Sequence, residues 1–264
     1  MSIIGVLLAG GTGSRLLPLT CTLNKHMLPV NGQPMLHWPL RSLALLGIQR
    51  VIVVLGGKSA GEVVEHFGST YEVEGRTLSL AYVYQREAGG IGQALAIALP
   101  LAEELQASRV IVMLGDNVFA GAPPIGHVSQ DDAYVVGIRN VDHPERDYGC
   151  IEVVKGEDGN KIYGPVEKPN RPPDHGGFWL PISGIYSLPI VSDKLGVLSE
   201  FVAGLSPSGR GEIEVTDILA AFQVEGRLDV VSTDKKWIDA GEHAGYRLAN
   251  DPAFWAHPGV TEAK

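Results

Sequence analysis

The feature that most constrains this chain is an apolar run that ends in a glycine turn. Ile3-Ile4-Gly5-Val6-Leu7-Leu8-Ala9 holds no polar residue and shows no polar alternation, the pattern of a parallel strand covered on both faces. Gly10, Gly11, Thr12, Gly13, Ser14 and Arg15 follow directly. Glycine tolerates positive φ and has no Cβ, so such a loop can turn backbone N–H groups toward an anion at close range. Arg15 adds a permanent, fork-shaped cation suited to phosphate oxygens. The blander reading is a plain strand-to-helix turn with a solvated arginine. The dinucleotide fingerprint G-x-G-x-x-G breaks at Leu16, and the Gly-Lys-Ser/Thr of a Walker loop is absent. The turn is therefore a phosphate loop of another kind.

The rest of the chain supplies a frame for that loop. Residues 34–46 carry apolar side chains at helical spacing, 50–55 read as a second buried strand, and 59–67 as a helix. This β-α-β-α order predicts a parallel, doubly wound sheet. A third strand over 78–84 ends at Gln85, and the glycines at 89, 90 and 92 open a helix reaching about residue 105. A fourth buried strand, 109–114, is capped by Gly115-Asp116-Asn117. From residue 133 the texture turns β-rich. A strand over 134–138, a hairpin of 149–154 with 162–166, and a long strand over 178–187 containing Gly184 are expected, then a helix over 190–201. A charged loop at 206–212 leads to a helix over 215–224, a strand over 228–232, a short strand near Trp237, and a terminal helix that fades near Asp251-Pro252.

Bulk properties narrow the partners. Lys plus Arg number 21 against 30 Asp plus Glu, a formal charge of −9 without any basic run, which argues against nucleic acid. A negative protein that handles phosphate must gather its cations locally or use a metal ion. Two separated cysteines, Cys21 and Cys150, fit no metal-ligand spacing and read as reduced thiols of a cytoplasmic protein. No signal peptide or membrane span is expected.

Three positions then invite chemistry. Lys25 lies in the mostly apolar stretch Asn24-Lys25-His26-Met27-Leu28-Pro29-Val30 and calls for a negative partner, unless it is an ordinary surface lysine. Gln85 ends a strand beside a glycine turn, where one donor and one acceptor could read a base edge; a solvated glutamine is the alternative. Asp116 stands at the carboxyl end of a buried strand, where open α/β sheets gather ligands and where Mg²⁺ could be held, though aspartate also caps turns.

Taken together, Leu8-Ala9-Gly10-Gly11-Thr12-Gly13-Ser14-Arg15-Leu16, Pro18-Leu19-Thr20, the stretch from Asn24 to Val30, Pro34-Met35, Leu114-Gly115-Asp116-Asn117, Tyr148-Gly149, Glu167-Lys168-Pro169, Gly211-Glu212-Ile213-Glu214-Val215-Thr216-Asp217 and Trp237-Ile238-Asp239-Ala240-Gly241 closely resemble the sugar-1-phosphate nucleotidyltransferases, in their short-form glucose-1-phosphate thymidylyltransferase branch. The resemblance implies a Rossmann-like α/β domain with a nucleotide-binding half (1–132) and a β-rich sugar-phosphate half (133–264). It implies attack of a sugar 1-phosphate on the α-phosphorus of a nucleoside triphosphate, with pyrophosphate leaving and no covalent intermediate, so that alignment and charge neutralisation are the protein's task.

On that resemblance Leu8, Ala9, Gly10, Gly11, Thr12, Gly13 and Ser14 surround the triphosphate, Arg15 holds its outer phosphates, and Lys25 contacts phosphate at the reacting centre. Asp116 and Asp239 hold Mg²⁺. Gln85 and the backbone at Gly90 read a pyrimidine, with His26 near the ribose. Asn117, Tyr148, Gly149, Glu167, Lys168, Ile182, Arg210 and Trp237 form the sugar-phosphate side. A homodimer or homotetramer is implied as well. Three departures accompany the likeness. His26 replaces a usual glutamine, Asp147 looks like an insertion before Tyr148, and the chain stops soon after Asp239, so that the allosteric end-product site of long-form members is expected to be absent or altered. The competing readings are a UTP-dependent or other hexose-1-phosphate enzyme, and a nucleotide-sugar-binding regulator without catalysis.

Overall fold

The computed structural model describes residues 2–57, 59–87, 89–124, 130–139, 141, 148–156 and 160–256. Asp147 and the tip of the 156–160 turn lie outside them. Its main sheet uses β1 (Ile3–Ala9), β2 (Arg50–Gly56), β3 (Thr70–Val73), β4 (Arg76–Gln85) and β5 (Arg109–Leu114) from the first half, and β6 (Ala133–Ile138), β7 (Gly149–Val154), β8 (Lys161–Glu167), β9 (Phe178–Pro189) and β10 (Leu228–Thr233) from the second. The strand path runs β8-β7-β9-β5-β1-β2-β4-β3, with β6 joined to β9 and β10 to β6.

The centre of this sheet is parallel. Leu7 sits between Val53 of β2 and Met113 of β5, and Val53 pairs in turn with Tyr82 of β4. The β-rich half adds antiparallel strands through β9, which lies against β5, while β10 and β6 pair in parallel. Alternate residues of β1 feed different cores. Ile4, Val6 and Leu8 pack with Leu95, Ala98 and Leu99 of α3 (Gly90–Glu104), whereas Leu7 and Ala9 pack with Leu40 and Leu43 of α1 (His37–Leu45) and Val63 and Phe67 of α2 (Ala60–Phe67). Short α4 (Leu198–Ala203) and α5 (Val215–Val224) join α3 on its face. Helices on both faces of a mixed sheet with a parallel centre make this the doubly wound α/β architecture that the apolar strands predict.

Turn chemistry explains the local differences. The expected helix at 34–46 begins only at His37, because Pro29–Val30 and Gln33–Pro34 form a small ladder around Asn31-Gly32, both at positive φ (46° and 78°), a turn that Asn-Gly specifies. Strand β3 is an addition to the reading. It pairs back on β4 through Glu74 and Gly75, again both at positive φ. The helix expected over 190–201 is a correction: Val191–Ser192 pairs with Gly196–Val197, and only Leu198–Ala203 is helical. Gly196 at φ 71° turns the chain before a helix can start. After α6 (His243–Ala249), Asp251 caps a further short helix, α7 (Pro252–Trp255), whose Trp255 packs on Trp38 at 4.0 Å between ring centroids. No helix among the described residues is long and apolar enough to cross a membrane.

Strand order reverses between β1 and β5, and such a switch point opens a crevice outside the carboxyl ends of the strands. The glycine turn follows β1 into that crevice with little room to spare. A Cβ on Gly56, at the end of β2, would lie 2.6 Å from the Gly10 carbonyl oxygen and 2.9 Å from Gly10 Cα. Both obstacles are backbone, so Gly56→Ala is expected to destabilise the protein by roughly 1–3 kcal/mol, the range for overpacking. Gly61→Ala, in α2 with nothing within 4 Å, should instead stabilise it by roughly 0.5–1 kcal/mol through helix propensity. Urea unfolding of the two variants measures both, and equal effects would contradict the packing described for the turn.

Candidate active site

The glycine turn is enclosed by two side chains from other segments. A Cβ on Gly10 would meet Gln85 Oε1 at 2.3 Å, and one on Gly11 would meet Lys25 Nζ at 3.0 Å. Gly13 adopts φ 72°, and its carbonyl accepts from Thr20 Oγ1 at 2.7 Å and from the Leu16 amide at 2.9 Å. Glycine is thus needed for close approach at the first two positions and for conformation at the third. Beyond the turn opens a cleft of about 480 Å³, whose wall on this side is Leu8, Gly10, Gly11, Arg15, Lys25, Gln85 and Gly90. Ala9 is fully buried in the sheet. Thr12, Gly13, Ser14 and His26 do not line the cleft, although Thr12 and Ser14 are exposed at the outer edge of the turn.

The carboxylates lie beside the turn, since Asp116 follows β5, the neighbour of β1, and the Gly115 amide donates to the Leu8 carbonyl at 2.9 Å. Asp116 and Asp239 are 123 positions apart in sequence, and a three-residue ladder joins them: Asn117–Phe119 pairs with Trp237–Asp239, with Asp239 opposite Asn117. The Ala240 amide donates to the Asp116 carbonyl at 2.8 Å, and the Gly241 amide to Asp239 Oδ1, also at 2.8 Å. A Cβ on Gly241 would lie 2.6 Å from Asp116 Oδ2 and 2.9 Å from Asp239 Oδ1. Both carboxylate oxygens therefore border one small space that a side chain at position 241 would fill.

Charge around this pair is unevenly shared. Lys25 Nζ donates to Asp116 Oδ2 at 2.6 Å and Asn117 Nδ2 to Asp116 Oδ1 at 3.0 Å. Trp237 Nε1 donates to Asn117 Oδ1 at 2.8 Å, which fixes the Asn117 amide so that its NH₂ faces Asp116. Burial alone would raise the Asp116 pKa; the Lys25 ammonium outweighs it and holds the carboxyl well below the usual range. Asp239 moves the other way, to about 6, through burial and then repulsion from Asp116, with Arg15 and Lys25 only partly compensating. Two carboxylates pushed apart in this way describe a site short of one positive charge. Among the described residues no group of three or more His, Cys, Asp or Glu could hold a metal ion. Two carboxylates with phosphate oxygens and water are nonetheless the ordinary donor set for Mg²⁺, so Asp116 and Asp239 fit the ion that the sequence implies.

The residues expected on the sugar-phosphate side, Asn117, Tyr148, Gly149, Glu167, Lys168, Ile182, Arg210 and Trp237, all line the same cleft. Tyr148 meets Trp237 edge to face at 5.4 Å between centroids, and the Lys168 amide donates to the Tyr148 carbonyl at 3.2 Å. Arg210 is shared between Glu167 (3.1 Å) and Glu214 (2.8 Å), so a ligand phosphate would have to compete with two carboxylates for it.

One wall residue escaped the sequence reading. Tyr186 projects into the cleft from β9, and burial, then Glu167 and Asp116, raise its hydroxyl pKa, keeping it a neutral donor. The signal was hidden because Tyr186 lies in a strand of core residues. Behind the wall, Ile213 of the 211–217 stretch ties that stretch to the start of α3: its amide donates to the Gly89 carbonyl at 2.9 Å and its carbonyl accepts from the Gly92 amide at 2.8 Å.

The expectation for His26 needs correction. Its ring is 0 % exposed beneath Gly115, where a Cβ would stand 2.8 Å from His26 Nε2, so it cannot touch a ribose in the cleft. Nδ1 lies 2.9 Å from Asn24 Oδ1. Burial, then Lys25, lowers its pKa to about 3, which leaves the imidazole neutral.

Against this geometry the comparisons are specific. The family model for nucleotidyl transferases matches residues 4–253. The chain belongs to the nucleotidyl transferase family. The transferase is 31% identical over 245 residues to a glucose-1-phosphate thymidylyltransferase of Neisseria meningitidis, covering 90% of this chain and 78% of that protein. It is also 31% identical over 253 residues to the Actinoplanes enzyme of the same name, covering 94% and 77%. Among solved structures, one from Bacillus anthracis assigned to glucose-1-phosphate thymidylyltransferase superposes with a TM-score of 0.77 at 31% identity, covering 98% of each chain. A UDP-glucose pyrophosphorylase bound to UDP-glucose shares the fold, with a TM-score of 0.76 at 22% identity and coverage of 96% and 99%. These relatives mark the transferase as a sugar-1-phosphate nucleotidyltransferase, an enzyme of nucleotide-sugar biosynthesis.

Proposed function

We propose that this enzyme transfers a thymidylyl group from dTTP to glucose 1-phosphate in a Mg²⁺-dependent reaction, giving dTDP-glucose and pyrophosphate. The observation that carries the reading is the meeting of a glycine turn, Arg15 and Lys25 with the Asp116–Asp239 pair in one cleft. The names of the relatives favour the same substrates.

The chemistry follows from charge and position. The nucleophile is already an ionised phosphate oxygen, so no base has to generate it, and the barrier is repulsion between two polyanions. Amides of the turn and Arg15 hold the triphosphate, Lys25 sits where charge builds at the α-phosphate, and Mg²⁺, when bound, withdraws charge from that phosphate. Lys168 and Arg210 orient the sugar phosphate, Glu167 accepts from sugar hydroxyls, and the neutral Tyr186 hydroxyl can donate beside them. A reading with UTP in place of dTTP draws support from His26, whose buried ring leaves that position with no side chain to sense a ribose hydroxyl. Either reading makes the transferase a cytoplasmic enzyme and, by family likeness, a homo-oligomer.

Pyrophosphate release measured side by side with dTTP, UTP, CTP and GTP, with glucose 1-phosphate as acceptor, tests the proposal. Preference for dTTP, with strict dependence on a divalent ion, is expected. Preference for GTP would remove the pyrimidine reading, and tight triphosphate binding without any pyrophosphate release would favour a regulator.

A further inference from the structure

Gln93 takes no part in the reading so far, because it does not line the cleft. Its side chain folds back over the turn that starts α3, and its Oε1 accepts from the Gly89 amide at 2.9 Å. The same oxygen receives Gln85 Nε2 at 2.8 Å. A backbone N–H can only donate, so the Gln93 atom facing it has to be the oxygen, and the Gln85 atom facing that oxygen has to be the NH₂. The second Nε2 hydrogen of Gln85 is turned toward the Gly90 carbonyl, at 3.5 Å. Gln85 Oε1 is left directed at Gly10, where only the missing Cβ makes room for it. Among the described residues no hydrogen bond engages that oxygen.

We infer that Gln93 is a specificity-determining positioning residue: it relays the polarity of the Gly89 amide through Gln85, so that the Gln85 side chain presents an acceptor, and only an acceptor, to the base. The ring that suits this surface carries an N–H at the atom facing Gln85. Thymine and uracil provide one at N3, whereas cytosine has a lone pair there and would face oxygen with nitrogen. Without Gln93, the Gln85 amide is free to rotate by half a turn and offer its NH₂, which suits cytosine equally well. Discrimination against cytosine then resides in the fixed orientation of Gln85, and Gln85 alone does not secure it. A glutamine that merely caps α3 would affect the stability of the helix without affecting the choice of base.

The inference rests on the cleft being the nucleoside triphosphate site, and the test separates the two ideas. The quantity to measure is the ratio of kcat/KM for dTTP to that for dCTP, in the wild type and in two variants. Gln93→Leu, which removes the acceptor, is expected to lower the ratio by roughly ten- to a hundredfold, the scale of one good base contact. Gln93→Glu keeps an acceptor for both Gly89 and Gln85 and is expected to keep the ratio within a few fold of the wild type. A wild type that does not prefer dTTP over dCTP would overturn the substrate reading itself. A wild-type preference that persists in Gln93→Leu would overturn the role of Gln93 alone, and so would an equal loss in both variants. Partial misfolding lowers both rates together and leaves the ratio to report the folded molecules alone, so it cannot produce the expected fall.

Discussion

Asp239→Asn is expected to lose at least about two orders of magnitude in turnover, the scale of removing an electrostatic stabiliser, and yet to melt at a higher temperature than the wild type when no divalent ion is present. The two effects share one cause. Asp239 is held at a pKa of about 6 by burial and by Asp116 beside it, against about 3.9 in an unfolded chain. The folded state therefore binds more protons than the unfolded state between these values. The stability contributed by the protonated carboxyl is complete below about pH 4 and is lost as pH rises through 6. Above that, the ionised group costs roughly 3 kcal/mol, at about 1.4 kcal/mol per pKa unit, and the neutral amide is spared this cost. Melting curves in a chelator should show Asp239→Asn above the wild type at pH 7.5 and no longer above it at pH 4. Asp116→Asn should lose turnover equally but melt lower than the wild type at pH 7.5, because the Asp116 pKa is depressed and its stabilisation is present above the unfolded value. Equal melting behaviour of the two variants would mean that the carboxylates do not share a space.

Lys25→Met should be the most damaging single change near the turn. Lys25 and Asp116 are 11% and 10% exposed, with 2.6 Å between Nζ and Oδ2. Removing one partner leaves a buried, uncompensated carboxylate with a second one beside it, a defect costing about 3–5 kcal/mol. Turnover should fall by at least about a hundredfold if Lys25 acts on the reacting phosphate as proposed. Replacing both partners, Lys25→Met with Asp116→Leu, should recover most of the stability, because a buried ion pair is often no better than apolar residues of similar volume, and should recover no turnover. Denaturant unfolding and pyrophosphate release on the same preparations separate the outcomes. Unchanged stability of Lys25→Met would place the lysine outside the pair in solution.

The lysine shows how much of the site could be read in advance. A cation within an apolar stretch demanded a negative partner, and the residues that carry the family likeness pointed to the two aspartates, yet nothing in the local pattern said that Lys25 and Asp116 would be paired 91 positions apart. The parallel strands announced themselves through unbroken apolar runs such as β1 and β5, because burial on both faces leaves that mark directly in the sequence. Strand β3 did not, since the polar-apolar alternation of Thr70-Tyr71-Glu72-Val73 runs for only four residues, the shortest stretch over which that period can be read. Residues whose work depends on a partner's orientation were the least legible. Tyr186 reads as core, Gln93 as a helix residue, and His26 as a polar group at the cleft when it is in fact buried beneath Gly115. In each case the contact that defines the role lies in another segment of the chain.

The central claim, that Asp116 and Asp239 grip one divalent ion beside the glycine turn, can be tested most directly by soaking crystals with Mn²⁺ and a non-hydrolysable dTTP analogue and recording anomalous scattering. A single manganese peak between the two carboxylates, in contact with phosphate oxygens, is the predicted result. A peak that touches neither aspartate would contradict the account.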